Sequence, residues 1–127
     1  MLIGDADGQA AFEINRPPQS IRVLSEQQVA QLLDPGDLLR ALEASFGALE
    51  RGEVQCPPRP QVSVPGRGVS LAMAAWQPGM QICVKVVNVF DGKLAVGLPN
   101  HLAIVNLFDP ETGAATCVMD ATFITGI

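Results

Sequence analysis

The segment from Ile82 to Phe90, Ile-Cys-Val-Lys-Val-Val-Asn-Val-Phe, constrains the fold more than any other stretch of this chain. Val84, Val86, Val87 and Val89 lose χ1 freedom in a helix but pack well on a pleated surface, so the segment is a β-strand. Side chains alternate along a strand. Cys83, Lys85, Val87 and Val89 therefore share one face, and Ile82, Val84, Val86, Asn88 and Phe90 the other. A strand apolar on both sides belongs in a covered sheet, and one ammonium within it needs an explanation. Either the strand is an edge with Lys85 in solvent, or Lys85 faces a pocket where it meets a carboxylate or donates a proton.

The rest of the pattern builds around that strand. Ile21 to Leu24 is a short edge strand, and Ser25 with Gln28 has the spacing of a capping box at a helix start. That helix is expected to bury Val29, Leu32 and Leu33. Asp34-Pro35 opens a second helix, with Leu38, Leu39, Leu42, Phe46 and Leu49 at helical spacing and Gly52 as its stop. Pro57-Pro58-Arg59-Pro60 is stiff and extended. Strands follow over Gln61 to Val64, Val69 to Trp76, His101 to Phe108 and Ala114 to Met119, the last two joined by the turn Asp109-Pro110-Glu111-Thr112-Gly113. Asp120 caps a helix that would run from Ala121 to Ile127. With barely two turns before the sequence stops, it reads as truncated. The expected fold is α/β, with two N-terminal helices packed on a mixed, mostly antiparallel sheet of about five to six strands. Residues 1–20 form an N-terminal arm ahead of a single domain over 21–127.

Composition excludes several classes of function. The net charge is -5, and the Lys and Arg residues are scattered rather than clustered, against a nucleic-acid surface. No apolar run reaches the ~20 residues of a membrane helix, and no leader-like pattern opens the sequence. Cys56, Cys83 and Cys117 lack the spacing of a disulfide framework or a zinc site, and Cys83 and Cys117 sit in apolar strands. Buried thiols in a reducing, cytoplasmic setting follow. No metal site is expected. No Gly-x-Gly-x-x-Gly fingerprint occurs, so the chain holds no dinucleotide-binding βαβ unit.

Few residues are left to carry chemistry. Arg59, held between prolines, suits bidentate binding of a carboxylate, or is a surface arginine in a stiff loop. His101, the single histidine, opens a strand beside Asn100, where polar contact with a ligand is the stronger reading. Met73 and Trp76 are core residues or a pocket wall, because Ala72, Ala74 and Ala75 leave room beside them.

The stretches IRVLSEQQVAQLLD, DLLRALEASFGALERGEVQCPPRP, VKVVNVF, GLPNHLAIVNLFDPETG and VMDATFITGI, in this order, resemble the ornithine cyclodeaminase/mu-crystallin family over residues 21–127. The resemblance implies a bilobed enzyme. Its first, discontinuous lobe binds substrate and forms a homodimer through its sheet. Its second is a Rossmann lobe for NAD or NADP, which this chain lacks. Members act at the carbon next to a carboxylate: ornithine cyclodeaminases, alanine dehydrogenases, ketimine and pyrroline-carboxylate reductases. By resemblance, Arg59 in the Pro-Arg motif holds the substrate carboxylate; Met73, as a pocket wall, is a further candidate for substrate binding. Lys85 in the Val-Lys-Val motif contacts the same carboxylate and assists proton traffic. Asn100, His101 and Leu102 in the Leu-Pro-x-His motif approach the nicotinamide; the family often has Ser or Thr at Asn100. A fragment inactive on its own is the expectation. A mu-crystallin-like binding protein for a small ligand and a nucleotide, and a dimerisation module without catalysis, are the alternatives.

Overall fold

The computed structural model describes residues 15–92 and 96–126. The elements run β1 (Arg22–Leu24), α1 (Glu26–Leu32), α2 (Pro35–Glu50), β2 (Gln61–Val64), β3 (Gly68–Ala75), β4 (Ile82–Phe90), β5 (His101–Phe108), β6 (Ala115–Asp120) and α3 (Thr122–Gly126). The six strands form one mixed sheet in the order β1-β6-β5-β4-β3-β2. Every pairing is antiparallel except β1 with β6, which is parallel. Three helices accompany this sheet, α1 against β6 and α3 against β5, to give the expected α/β architecture. Most of the expected arm lies outside the described residues, and positions 15–20 are exposed and without regular structure.

Local chemistry sets the element ends. Ser25 accepts a hydrogen bond from the Gln28 N–H at 3.2 Å, and the Gln28 side chain accepts one from the Ser25 N–H at 2.8 Å, closing the capping box. Asp34 accepts from the Asp37 N–H at 2.8 Å, with Pro35 in the first turn. Asp120 accepts from the Thr122 N–H at 2.9 Å, as a cap for α3. At the end of α2, Gly52 has φ +73, a left-handed geometry that suits glycine. Between Leu107 and Phe108 the β5–β6 register shifts, and the Thr116 hydroxyl donates to the Leu107 carbonyl at that irregularity.

The helices bury less than their sequences promise. Val29 is buried, but Leu32 is 72% exposed. The helix ends at Leu32 and the chain turns there, so the neighbouring Leu33 takes the partly inward position. In α2, the stripe Leu39, Leu42, Phe46 and Leu49 is present at helical spacing, yet all four side chains are exposed among the described residues.

The core lies on the sheet. Val87, Ala103 and Ala121 are buried in one cluster, with Leu71, Met73 and Val105 packed against it. Register puts them all on one face. Leu71 pairs with Val87 and Val87 with Ala103, and the Ala121 N–H donates to the Ala103 carbonyl at 2.8 Å. This is also the face of Lys85.

Candidate functional site

Strand β4 is hydrogen-bonded to β3 on one side and β5 on the other, at the centre of the sheet. Lys85 is therefore not on an edge, and the solvated-edge alternative falls away. Its side chain is half-buried. Across β3 it stands opposite Met73, and across β5 opposite Val105. Along its own strand its same-face neighbours are Cys83 and the buried Val87. The ammonium rises from the rim of an apolar core.

Arg59 lies just ahead of β2. β2 pairs with β3 from Gln61↔Leu71 to Val64↔Gly68, and the Ala72 N–H donates to the Pro60 carbonyl at 3.2 Å. Further back, Gln55 bridges Trp76 one residue out of that register, so the ladder is interrupted between Gln55 and Pro60. Arg59 stands exposed in this stretch, beside the β3 that separates it from Lys85. The ion pairs of the described residues, Arg40–Asp37 and Arg51–Glu53, lie on and beside α2. Neither engages Arg59 or Lys85.

The Cys83 thiol reports the electrostatics of this patch. Burial pushes its pKa up, and the positive charge of Lys85 pulls in the opposite direction. The thiol stays protonated and neutral beside the ammonium at neutral pH. Among the described residues, no group of His, Cys, Asp and Glu has the arrangement of a metal site.

The remaining candidates stand elsewhere. His101 pairs with Val89 and shares the Lys85 face, but lies four residues along β4, roughly 14 Å away. It borders the end of α3: a β-carbon added at Gly126 would stand 3.6 Å from His101 Nε2. Asn100 is exposed at the same end of the sheet, and its carbonyl accepts from the Phe90 N–H at 2.9 Å. Leu102 pairs with Asn88, so its side chain is on the opposite face. It borders a depression of about 320 Å³ with Val86, Asn88 and Ile104. The structure thus sets Met73 opposite Lys85, with Arg59 in the stretch just before β2, and places Asn100 and His101 at one end of the same sheet. Leu102 does not face either group. Cys83, already placed on this face by strand alternation, and Val105 and Leu71 complete the surroundings of Lys85; the last two are not legible in the sequence, because cross-strand register is absent from a single strand's pattern.

Comparison with known proteins adds the family context. The model of the ornithine cyclodeaminase/mu-crystallin family matches residues 20–127. The chain is 35% identical to Delta(1)-pyrroline-2-carboxylate reductase 2 of Burkholderia ambifaria, over 78% of this chain and 32% of that protein. An archaeal alanine dehydrogenase dimer with bound NAD superposes with a TM-score of 0.78 and 32% identity, over 83% of this chain and 32% of that one. Delta(1)-pyrroline-2-carboxylate reductase of Thermococcus litoralis, in complex with NADH and L-proline, gives a TM-score of 0.79 and 31% identity, over 83% and 33% of the two chains. The chain spans about a third of the length of the curated relatives it matches. With the match covering all but the first residues, the chain belongs to the ornithine cyclodeaminase/mu-crystallin family.

Proposed function

We propose that this chain is the substrate-binding and dimerisation lobe, over residues 21–127, of an NAD(P)-dependent oxidoreductase or cyclodeaminase. That enzyme acts at the α-carbon of a small amino or imino acid. The observation that carries the reading is Lys85 at the centre of the core-bearing face, opposite Met73, with Arg59 in the proline-rich stretch beside β3 and neither cation in an ion pair among the described residues. An α-carboxylate is the group these cations fit best, Arg59 in two parallel hydrogen bonds and Lys85 as a point charge.

Held there, the carboxylate fixes the adjacent carbon relative to the face. Lys85 also has protons to donate and is placed to share them with the substrate's oxygen or nitrogen. The Met73 thioether fills the gap between the cations and keeps water from separating them from the ligand. NAD or NADP, when bound, supplies or accepts the hydride. The chain's own residues fit only the rim of such a cofactor: Asn100 and His101 offer polar atoms at one end of the Lys85 face, and no glycine-rich phosphate cradle occurs in the sequence. The 127-residue chain on its own is accordingly expected to show no turnover.

The opposite face supports a homodimer, and the archaeal relative is a dimer. It carries Val23, 71% exposed, together with the exposed Val62 and Ile104, beside Val84, Val86 and Val118. Covering such a face with its own copy is a common way to bury it. No helix among the described residues is long and apolar enough to cross a membrane. The free cysteines suit a cytoplasmic protein.

The test is turnover by the complete protein that contains this lobe. Oxidation of NADH or NADPH, followed by absorbance, is expected on adding Δ1-pyrroline-2-carboxylate or pyruvate with ammonium. No oxidation with any amino-acid-derived imine or keto acid, no reverse reaction with the amino acids, and no release of ammonium from a diamino acid in the presence of NAD would overturn the proposal.

A further inference from the structure

We propose that the depression over β1, β6 and the adjoining end of β5 is a second ligand site, separate from Lys85, that takes a small carboxylate with an apolar body. Its volume is about 550 Å³. Arg22, Gln81 and Thr116 form its polar rim, and Leu24, Leu107 and Met119 its floor. An apolar floor with a few converging polar groups is the usual build of a small-molecule site.

Register places this site on the Lys85 face. Arg22 stands opposite Cys117, Cys117 opposite Leu107, and Leu107 opposite Cys83, the same-face neighbour of Lys85. Three strand spacings of about 4.8 Å separate β1 from β4, so the Arg22 and Lys85 backbones are roughly 14 Å or more apart. Each cation can therefore hold a carboxylate of its own.

Two local features build the rim. The register shift between Leu107 and Phe108 leaves Thr116 as the extra residue between Ala115 and Cys117, and an irregularity of this kind re-aims a side chain. The Thr116 hydroxyl is shared between the Leu107 carbonyl and the side-chain oxygen of Gln81, 35 residues away in sequence. That bond ties Gln81 to the edge of the depression and leaves its amide N–H groups as donors. Arg22 is exposed, and neither ion pair of the described residues uses it. Its guanidinium offers a carboxylate two parallel N–H donors. Leu24 and Met119, partners in the β1–β6 register, then meet the ligand's hydrocarbon. Bare phosphate gains nothing from that floor, and an uncharged chain gains nothing from Arg22.

The experiment uses the complete protein carrying Lys85→Met, which disables the carboxylate site proposed above, so that binding at Arg22 is read alone. Calorimetric titration with hexanoate is expected to show one site per chain. Adding Arg22→Met is expected to weaken hexanoate at least roughly tenfold. Arg22→Gln, a polar change at the same exposed position, is expected to do the same in a protein that melts like the parent. In the protein without Lys85→Met, Arg22→Met is expected to remove one hexanoate site per chain, which gives the same reading independently of Lys85. Hexan-1-ol and inorganic phosphate are both expected to bind far more weakly than hexanoate. Hexanoate affinity unchanged by the Arg22 variants, or hexan-1-ol or phosphate binding as tightly as hexanoate, overturns the proposal. Hexanoate that binds the parent but not the Lys85→Met protein also overturns it, and leaves the Lys85 site standing.

Discussion

Met73 stands directly opposite Lys85 across β3 and β4, and the Ala72 N–H bond to the Pro60 carbonyl brings the chain next to Arg59 alongside the other edge of β3. The thioether packs against the core, and on the proposed reading it also spaces the two cations. Met73→Leu keeps the volume and is expected to cost less than about 1.5 kcal/mol. Met73→Ala is expected to cost about 1–2 kcal/mol, below the range for a fully buried methionine because the residue is only half-buried. Urea denaturation measures both. Ligand affinity in the complete protein should fall more for Ala than for Leu, as water enters between the cations.

Arg59 is exposed and bonded to no described side chain, so its removal should leave stability within about 0.5 kcal/mol of the parent. Its effect belongs to binding. Arg59→Lys retains the charge and loses the planar fork, and is expected to weaken carboxylate binding by roughly tenfold. Equal affinity in Arg59→Lys, measured by calorimetry on the complete protein, would show that the fork is not used.

The face opposite Lys85 should control assembly. Ile104 is 48% exposed at its centre and pairs with Val86. Ile104→Glu puts a carboxylate there, close to Asp120, its partner on β6. The complete protein is expected to be a dimer by light scattering, and the variant a monomer at micromolar concentration. A variant that remains fully dimeric would move the interface elsewhere.

The three cysteines should react in order of burial. Cys56 is exposed, Cys83 intermediate and Cys117 buried. With a neutral alkylating reagent, Cys56 is expected to be modified first and Cys117 last, as read by mass spectrometry. Burial raises the folded pKa of Cys83 above its unfolded value. Its contribution to stability is therefore present below the unfolded thiol pKa and lost as pH rises through the folded one. Cys83→Ala should flatten the alkaline side of the stability profile; an unchanged slope would contradict the assignment.

Much of this fold was legible before the structure. The valines of β4, the Ser25–Gln28 box and the Asp34-Pro35 start are local signals, and each lies where its chemistry put it. The order of strands in the sheet was not legible, since it depends on pairings between distant segments. The pattern around Lys85 fits an edge strand as well as a central one, and only the pairing of β4 with both β3 and β5 decides between them. Leu32 read as inward because helical spacing does not reveal where a short helix ends against its neighbours. In the candidate site, the charged members Arg59 and Lys85 stood out by residue type. Val105 and Leu71 did not, because an aliphatic residue gains a role there only from the strand it faces.

The central claim is that Arg59 and Lys85 hold one carboxylate together. A double-mutant cycle tests it most directly: L-proline affinity of the complete protein, measured for the parent, Arg59→Met, Lys85→Met and the double variant. If both cations grip the same group, each single change is expected to cost about 1.5–3 kcal/mol, and the pair should depart from additivity by about 1 kcal/mol or more. Single losses that simply add, or a Lys85→Met variant that binds like the parent, would contradict the account.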